Sequence, residues 1–331
     1  MDKLKTLLKK TIVWLGLSAL AYVAFILYFG LKTVTLPEDT TIKIQRGDTL
    51  YDASISLEDK SIIDNARIFR IIARFFGTGD EIKAGEYQFT DGESNFQVLQ
   101  KIYRGYFAKN RIRIQEGWTF KDLRDALYAH EALDHRTIHL SNADILSKLE
   151  IEHPHPEGLF FPDTYIFSGG ESDLEILRIA HKKLLDVLAT EWDHRTDNIQ
   201  FETPYDALIL ASIIEKETSL KAEKPIVGGV FNNRLAKGMR LQADPTVIYG
   251  VGDNFDGDIR YKDLQDNNPY NTYKRDGLPP SPIALASKSS IRAAMQPAAT
   301  SALYFVAKGD GTHKFSNNLK EHNKAVRKYQ R

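Results

Sequence analysis

The feature that most constrains this chain is an apolar run near its N-terminus. The stretch "TIVWLGLSALAYVAFILYFGL" extends from Thr11 to Leu31 without a charged residue. As a helix, such a run reaches about 31 Å, which matches the ~30 Å hydrocarbon core of a bilayer. The sequence therefore predicts a transmembrane helix over residues 11–31.

The charges on either side of this run predict its orientation. Four lysines lie among residues 1–10, whereas Glu38 and Asp39 follow the run. The positive-inside rule keeps residues 1–10 in the cytoplasm and carries the rest of the chain across the membrane. The alternative is a cleaved signal peptide, because Ala19-Leu20-Ala21 resembles a small-x-small cleavage site. The apolar run continues ten residues beyond that site, which favours an uncleaved anchor.

Composition limits what the rest of the 331-residue chain can do. Its 42% hydrophobic content is enough for two domains with sizeable cores. Forty-four basic and forty-four acidic residues give no net field that would attract nucleic acid. The chain has no cysteine, which excludes disulfides, thiolate nucleophiles and thiolate metal sites.

Residues 32–40 are predicted to be a short polar linker, and residues 41–106 a small α+β module. "TIKIQRGDTL" alternates like a strand and then turns into a helix that Asp48 or Thr49 could cap. That helix is the first of two stretches with helical spacing, and after them "AGEYQFT" returns to a strand. With its "GDTL" turn, this strand-helix-helix-strand order resembles a LysM-type module, a fold that holds N-acetylglucosamine polymers. A plain α+β spacer remains the alternative.

Residues 107–331 show no repeat and no low-complexity linker, and we interpret them as one larger mixed α/β domain. Within it, "LILASIIEKETSLKAEK" predicts a helix over residues 208–224 that carries Glu215 and Glu217. Positions two apart on a helix point about 200° away from each other. Glu217 shares its face with Ile213 and Ile214, whereas the face of Glu215 is more polar. Glu215 is therefore predicted to be the solvated carboxylate of the two.

A carboxyl group on an apolar stripe loses hydration, which raises its pKa toward that of a general acid. Glu217 is therefore a candidate proton donor. The alternative is that the helix emerges into solvent at this point and Glu217 pairs with Lys221, four residues on. The helix alone leaves both interpretations open.

Two later stretches, residues 230–250 and 267–283, concentrate amides, hydroxyls and tyrosines. This composition suits a cleft for a neutral or weakly charged glycan, although the amides could equally satisfy their own backbone. Motifs for zinc proteases, serine hydrolases and P-loop nucleotide binding are missing from the sequence. His313 and His322 are predicted to be surface or loop residues.

Several motifs together carry a family resemblance. The stretches "LASIIEKET", "VFNNRL", "GMRLQADPTVIYG", "YNTY", "GLPPSPI" and "YFVAKGDGTHKFSNNLKEHN" resemble the catalytic region of the endolytic murein transglycosylases of the MltG (YceG-like) family. The N-terminal anchor, "KAGEYQF" and "EGLFFPDTY" extend the resemblance over essentially the whole chain.

The resemblance implies a single-pass inner-membrane enzyme whose catalytic domain lies in the periplasm and cuts nascent peptidoglycan strands internally. The catalytic glutamate of the family falls on Glu217. It would cleave the β-1,4 bond between N-acetylmuramic acid and N-acetylglucosamine without water, leaving a 1,6-anhydro end that terminates or trims strand growth. No metal or organic cofactor is expected, and peptidoglycan synthases become candidate partners.

The polar motif residues are then predicted to position the glycan as a group. They are Asn233, Arg234, Gln242, Asp244, Thr246, Tyr249, Asn271 and Tyr273. Two rival functions stay open: a hydrolytic muramidase with Asp244 as the second carboxylate, and a tethered glycan-binding scaffold without activity. On the transglycosylase interpretation, Glu217→Gln stops cleavage and leaves glycan binding nearly intact, whereas Glu215→Gln affects neither.

Overall fold

The computed structural model describes residues 2–78, 82–106 and 108–330. For residues 2–6 and 8 it describes the backbone only. Three predicted boundaries lie outside the described residues. They are the start of the cytoplasmic tail at Met1 and the start and end of the catalytic domain at Phe107 and Arg331. The chain is a mixed α/β protein with one long N-terminal apolar helix, as its sequence predicts.

Helices predominate over short strands. The helices are α1 (Asp2–Leu31), α2 (Leu50–Asp59), α3 (Ala66–Phe75), α4 (Asn95–Arg104), α5 (Phe120–Tyr128), α6 (Asn142–Lys148), α7 (Asp173–Asp193), α8 (Pro204–Glu217), α9 (Lys224–Ala236), α10 (Asp244–Val251), α11 (Tyr261–Gln265), α12 (Lys288–Met295) and α13 (Leu319–Tyr329). The strands are β1 (Thr40–Ile44), β2 (Gly85–Phe89), β3 (Lys109–Arg113), β4 (Thr164–Ser168), β5 (Tyr304–Ala307) and β6 (His313–Ser316).

The chain divides into two compact units, which are described separately. The first comprises the chain up to Asn110 together with residues 166–171, and the second comprises residues 111–165 and 172 onward. The boundary therefore falls a few residues after the end of the predicted small module. The chain crosses between the units within β3 and again within β4.

Helix α1 is long and apolar enough to cross a membrane. An 18-residue window of its segment Lys9–Leu31 has a mean hydropathy of 2.2, and only 6% of that window is buried by other residues. A helix with this length and exposure fits a single-pass membrane anchor. The last turns of α1 also belong to the first unit, since Asn95 donates a hydrogen bond from Nδ2 to the carbonyl of Phe29 at 2.8 Å.

The first unit contains the predicted elements strand, helix, helix and strand in that order, and they are followed by α4, a helix that was not predicted. β1 pairs antiparallel with β2, with Thr40 opposite Phe89 and Ile44 opposite Gly85. Thr49 caps α2 by accepting the Asp52 N–H, while the Asp52 carboxylate accepts the Thr49 N–H. This reciprocal capping explains why the chain turns sharply into α2 after β1.

The segment predicted to be a short polar linker makes hydrogen bonds to the first unit. The backbone N–H groups of Val34 and Leu36 donate to the Glu93 carbonyl at 3.2 Å and to Asp91 Oδ1 at 2.9 Å. Leu36 is only 6% exposed. The segment between α1 and β1 is therefore part of the folded unit.

In the second unit, α8 is the central helix and packs against α7, α9, α10 and α12. Pro204 occupies its first turn, and Thr203 and Asp206 form a capping box there. Every residue from 207 to 214 is buried. A helix enclosed on all sides positions its last residues firmly, because neighbouring helices hold it along its whole length.

Helices α9 and α12 approach closely at a glycine. A Cβ on Gly228 would lie 2.3 Å from the carbonyl oxygen of Ala293, and one on Gly229 would lie 2.5 Å from that of Ala298. Both obstacles are backbone atoms, which cannot rotate away as a side chain would. The missing side chains therefore set how closely α12 lies against α9.

We expect Gly228→Ala to destabilise the second unit by about 1–3 kcal/mol, because the added methyl group must push α12 away from α9. The measurement is thermal unfolding of the full-length chain in detergent. Gly16→Ala is the matched control, since no heavy atom lies within 4 Å of a Cβ built on that helical glycine. Equal melting temperatures for the two variants would contradict the close approach.

Candidate active site

Glu217 is the last residue of the buried helix α8. The chain leaves the helix at Thr218, whose backbone is extended (φ −147°, ψ 133°). Glu217 is half-buried, and its carboxyl group makes no hydrogen bond or ion pair with another described residue. The predicted pairing with Lys221 is not present among the described ion pairs.

The Glu217 side chain lines a cavity of about 440 Å³ in the second unit. Four of the predicted glycan-positioning residues line the same cavity, namely Arg234, Gln242, Asp244 and Tyr273. β5, β6 and α13 contribute the other walls. The structure thus brings the predicted proton donor and half of the predicted polar group together around one space.

Asp244 places a second carboxyl group in the cavity. It is the first residue of α10, and its Oδ1 accepts a hydrogen bond from the Tyr273 hydroxyl at 2.5 Å. The phenol thus fixes the orientation of Asp244 and leaves its charge close enough to act on Glu217.

The pKa of Glu217 is raised from 4.5 to about 8. Burial is the largest cause, because a carboxylate at this position loses its hydration, and the negative charge of Asp244 adds to the effect. The positive charge of Arg234 opposes both. Glu217 is therefore mostly protonated at neutral pH and can donate a proton to a molecule in the cavity.

Arg234 is only 7% exposed, and its partners are neutral. Its guanidinium group donates to the carbonyls of Leu303 and Leu241, both at 2.7 Å, and it lies 5.0 Å from the centre of the Tyr304 ring. No ion pair joins Arg234 to a carboxylate among the described residues. Its positive charge therefore remains available to the cavity.

Gln242 has a backbone conformation that is uncommon for a residue with a side chain. Its φ is +51°, in the left-handed region, and its N–H donates to the Thr272 carbonyl at 3.2 Å. Its Oε1 accepts a hydrogen bond from Arg234 at 3.3 Å. Such strain is often found at functional sites, where the surroundings hold the backbone in place.

The remaining predicted residues do not line this cavity. Asn233 donates to the carbonyls of Thr300 and Ala302, and Asn271 donates to those of three residues between 263 and 266. Thr246 is fully buried and bonds to Ala243 and Thr272. These three side chains hold loops in place, which is the alternative that their composition left open. Tyr249 lines a different cavity of the same unit.

Two histidines that were not predicted to belong to the site also lie there. His313 and His322, predicted to be surface or loop residues, both line the Glu217 cavity. The Glu223 carboxylate fixes His313, since it lies 2.7 Å from Nδ1 and also accepts the His313 N–H at 3.0 Å. His322 stacks on Tyr304 with ring centres 5.1 Å apart. The motif "YFVAKGDGTHKFSNNLKEHN" contains both, but spacing alone does not show what they contact.

The prediction that Glu215 is solvated is wrong. Its side chain is 6% exposed, and both carboxylate oxygens bond to Lys224 Nζ, at 2.9 and 3.0 Å. Ser287 and Ser290 donate further hydrogen bonds to Oε2. Burial alone would raise the pKa of Glu215, but these hydrogen bonds and the Lys224 charge together lower it. Helix α12 covers the face of α8 that the sequence pattern left to solvent.

The second unit thus holds a cavity with two carboxyl groups and a guanidinium group, a candidate active site, in a protein that carries a candidate membrane anchor. The model of the YceG-like family matches residues 42–328, so the chain belongs to the YceG-like family. This confirms the family predicted from the motifs, together with its enzyme class, the lytic transglycosylases.

Curated relatives and a solved structure agree with this assignment. A Bacillus subtilis protein named endolytic murein transglycosylase is 32% identical over 319 residues, which cover 90% of this chain and 88% of the relative. A Streptococcus pneumoniae protein (strain R6) of the same name is 26% identical, but the match covers only 61% of its length. The crystal structure of a YceG-like protein from Listeria monocytogenes aligns with a TM-score of 0.54 and 32% identity, covering 87% of this chain and 99% of that one.

We expect Glu215→Gln to destabilise the second unit by about 3–5 kcal/mol, because Lys224 would be left buried without a counter-charge. Thermal unfolding measures the loss. The double variant Glu215→Gln/Lys224→Met is the control, since it removes both charges and should recover much of the stability. If Glu215→Gln alone melts like the unchanged protein, the ion pair does not stabilise the fold.

Glu217→Gln is expected to stabilise the protein, by an amount that grows with pH. The folded state holds the Glu217 proton up to about pH 8, whereas an unfolded glutamate releases it near 4.5. Raising the pH between these values therefore favours the unfolded wild type, but not the unfolded variant. Melting temperatures of both proteins across this range are the measurement. A difference that does not change with pH would contradict the raised pKa.

Proposed function

We propose that this protein is an endolytic lytic transglycosylase that cleaves the β-1,4 bond between N-acetylmuramic acid and N-acetylglucosamine in nascent peptidoglycan strands. The observation that carries the proposal is one carboxyl group with a raised pKa, Glu217, which lines a cavity with polar residues of the predicted family motifs. The names of the Bacillus and Streptococcus relatives support the same substrate.

In the first step Glu217 acts as the general acid. It transfers its proton to the glycosidic oxygen while the bond from that oxygen to C1 of the muramoyl sugar breaks. The pKa of about 8 supports this role, because an ordinary glutamate would already have lost its proton at neutral pH. Positive charge develops at C1, and the Asp244 carboxylate in the same cavity can stabilise it electrostatically.

In the second step the Glu217 carboxylate acts as the base. It takes the proton from the C6 hydroxyl of the same sugar, and the C6 oxygen forms a new bond to C1. The product is a 1,6-anhydro ring, and Glu217 is protonated again. Because the nucleophile belongs to the substrate, one carboxyl group can serve as acid and then as base.

The other cavity residues would hold the sugar between these steps. Arg234 and Gln242 offer a guanidinium group and a side-chain amide, and Tyr273 keeps Asp244 oriented. His313, which Glu223 fixes, presents its second ring nitrogen as a further hydrogen-bonding group. This set of groups suits hydroxyl and acetamido substituents.

The rest of the chain would hold the enzyme near its substrate. We propose that α1 is an uncleaved inner-membrane anchor with residues 1–10 in the cytoplasm, which leaves the catalytic unit in the periplasm. The small module, with its LysM-like order of strands and helices, would bind the glycan strand. Tethering raises the local concentration of enzyme around newly made strands, where peptidoglycan synthases are candidate partners.

The test is product analysis on intact peptidoglycan, with wild type and Glu217→Gln compared by mass spectrometry. We expect wild type to release internal fragments with 1,6-anhydro ends, and Glu217→Gln to reduce their formation at least 1,000-fold, because glutamine has no acidic proton to donate. Pull-down on intact peptidoglycan should show nearly unchanged binding of the variant.

Glu202→Gln is the matched control, because Glu202 is exposed and precedes the first turn of α8. Fragments with reducing ends in place of anhydro ends would replace the proposal with a hydrolytic muramidase that uses Asp244. Binding without cleavage by the wild type would leave only a glycan-binding scaffold. Full activity in Glu217→Gln would remove Glu217 from the mechanism.

A further inference from the structure

The second unit contains another cavity, of about 400 Å³, which is lined by Tyr249 of α10. One wall is a face of α5, and the others come from the turn at residues 155–157 and from Tyr270. Its volume is within the range of pockets that bind small ligands. Its lining includes the buried carboxyl group of Glu157, the exposed carboxylate of Asp125, aromatic rings, and the cations Lys121 and Arg124.

Glu157 lies at this cavity and is only 7% exposed. Its Oε1 accepts the Phe120 N–H at 2.9 Å, and its Oε2 accepts the Tyr249 hydroxyl at 3.2 Å. Burial raises the pKa of Glu157 to about 7, although both hydrogen bonds act in the opposite direction. Near neutral pH this group can therefore donate as well as accept a hydrogen bond.

Tyrosine rings surround the same carboxyl group. Tyr249 and Tyr270 meet edge to face with ring centres 4.8 Å apart, and both are half-buried. The Tyr249 hydroxyl donates to Glu157, and the Tyr270 hydroxyl bonds to Ser281 Oγ at 2.7 Å, so the rings are held in place. Ring faces beside a hydrogen-bonding carboxyl group suit a sugar, which has apolar C–H faces and polar edges.

Arg124 supplies a positive charge that no described carboxylate neutralises. It donates to the Tyr128 hydroxyl at 2.9 Å, to Asn142 Oδ1 at 3.0 Å and to the Leu140 carbonyl at 3.2 Å. Lys121, by contrast, is paired with Asp253 at 2.7 Å. These bonds occupy Nε, Nη2 and one hydrogen of Nη1, so one N–H of Nη1 remains to donate to a carboxylate, which the positive charge also attracts.

The same two chain segments line both cavities. Helix α10 places Asp244 at the Glu217 cavity and Tyr249 at the Glu157 cavity. The loop that follows places Tyr273 at the first and Tyr270 at the second. Five helical residues rise only about 7.5 Å, so the two cavities are close neighbours. A linear polymer of sugars bound beside Glu217 would therefore reach the second cavity.

We propose that the Glu157 cavity is a second saccharide-binding site, which takes a carboxylate-bearing N-acetylated sugar of the strand that is cleaved at Glu217. The sugar ring lies on Tyr249 and Tyr270, its polar substituents bond to Glu157, and its carboxylate pairs with Arg124. The identity of the polymer rests on the proposed function, but binding at this cavity does not require cleavage.

Photo-crosslinking of the full-length chain in detergent tests this site. The probe is N-acetylmuramic acid that carries a diazirine on its acetamido group, and the competitors are free N-acetylmuramic acid and N-acetylglucosamine. Because Asp244 and Tyr249 fall on one tryptic peptide and Tyr270 and Tyr273 on another, the label must be located to single residues by fragmentation. We expect it at Tyr249, at Tyr270 or within residues 155–157. N-acetylmuramic acid should compete at least fivefold better than N-acetylglucosamine, because only the former carries a carboxylate.

Arg124→Gln should abolish this preference, whereas Arg178→Gln, which alters an exposed arginine on α7, should preserve it. Tyr249→Ala should reduce labelling about tenfold, and Tyr249→Phe, which keeps the ring, should restore most of it if the fold is intact. Label found only at residues that line the Glu217 cavity, or a preference unchanged by Arg124→Gln, would overturn the proposal. Label at Tyr249 without anhydro products from the wild type would keep this site and reject the cleavage mechanism.

Discussion

The burial of α8 sets the behaviour of the two carboxyl groups at its end. Both glutamates lose water, and for each of them that loss is the largest influence on the pKa. Glu215 regains stabilisation from Lys224 and two serines, so it is ionised and structural. Glu217 has no such partners and faces another carboxylate, so it keeps its proton. The site thus depends on the absence of a hydrogen-bond partner for Glu217 among the described residues as much as on the partners that hold Glu215.

Features that depend on neighbouring residues in the chain could be predicted from the sequence. The apolar run specifies α1, and the alternating and helical stretches specify the order of β1, α2, α3 and β2. These predictions succeeded because helix and strand periods act over a few residues, where sequence and structure correspond directly.

Features that depend on distant parts of the chain could not be predicted in the same way. Glu215 was assigned to solvent because no local pattern shows that α12, about 70 residues later, covers it. Asn233 and Gln242 are both polar motif residues, yet one holds backbone carbonyls and the other lines the cavity. His313 lines the same cavity as Glu217 because of where β6 packs in the fold. Composition identifies polar residues, but only tertiary packing shows which of them are already satisfied.

Helix α10 is eight residues long, and its two ends serve different cavities. An inserted or deleted residue between Asp244 and Tyr249 would rotate one relative to the other by about 100°. The tyrosine would then leave its place beside Glu157 even if every residue type were preserved. The spacing of these two residues is therefore under a stricter constraint than the identity of the residues between them, and length variation in relatives is expected to fall outside this helix.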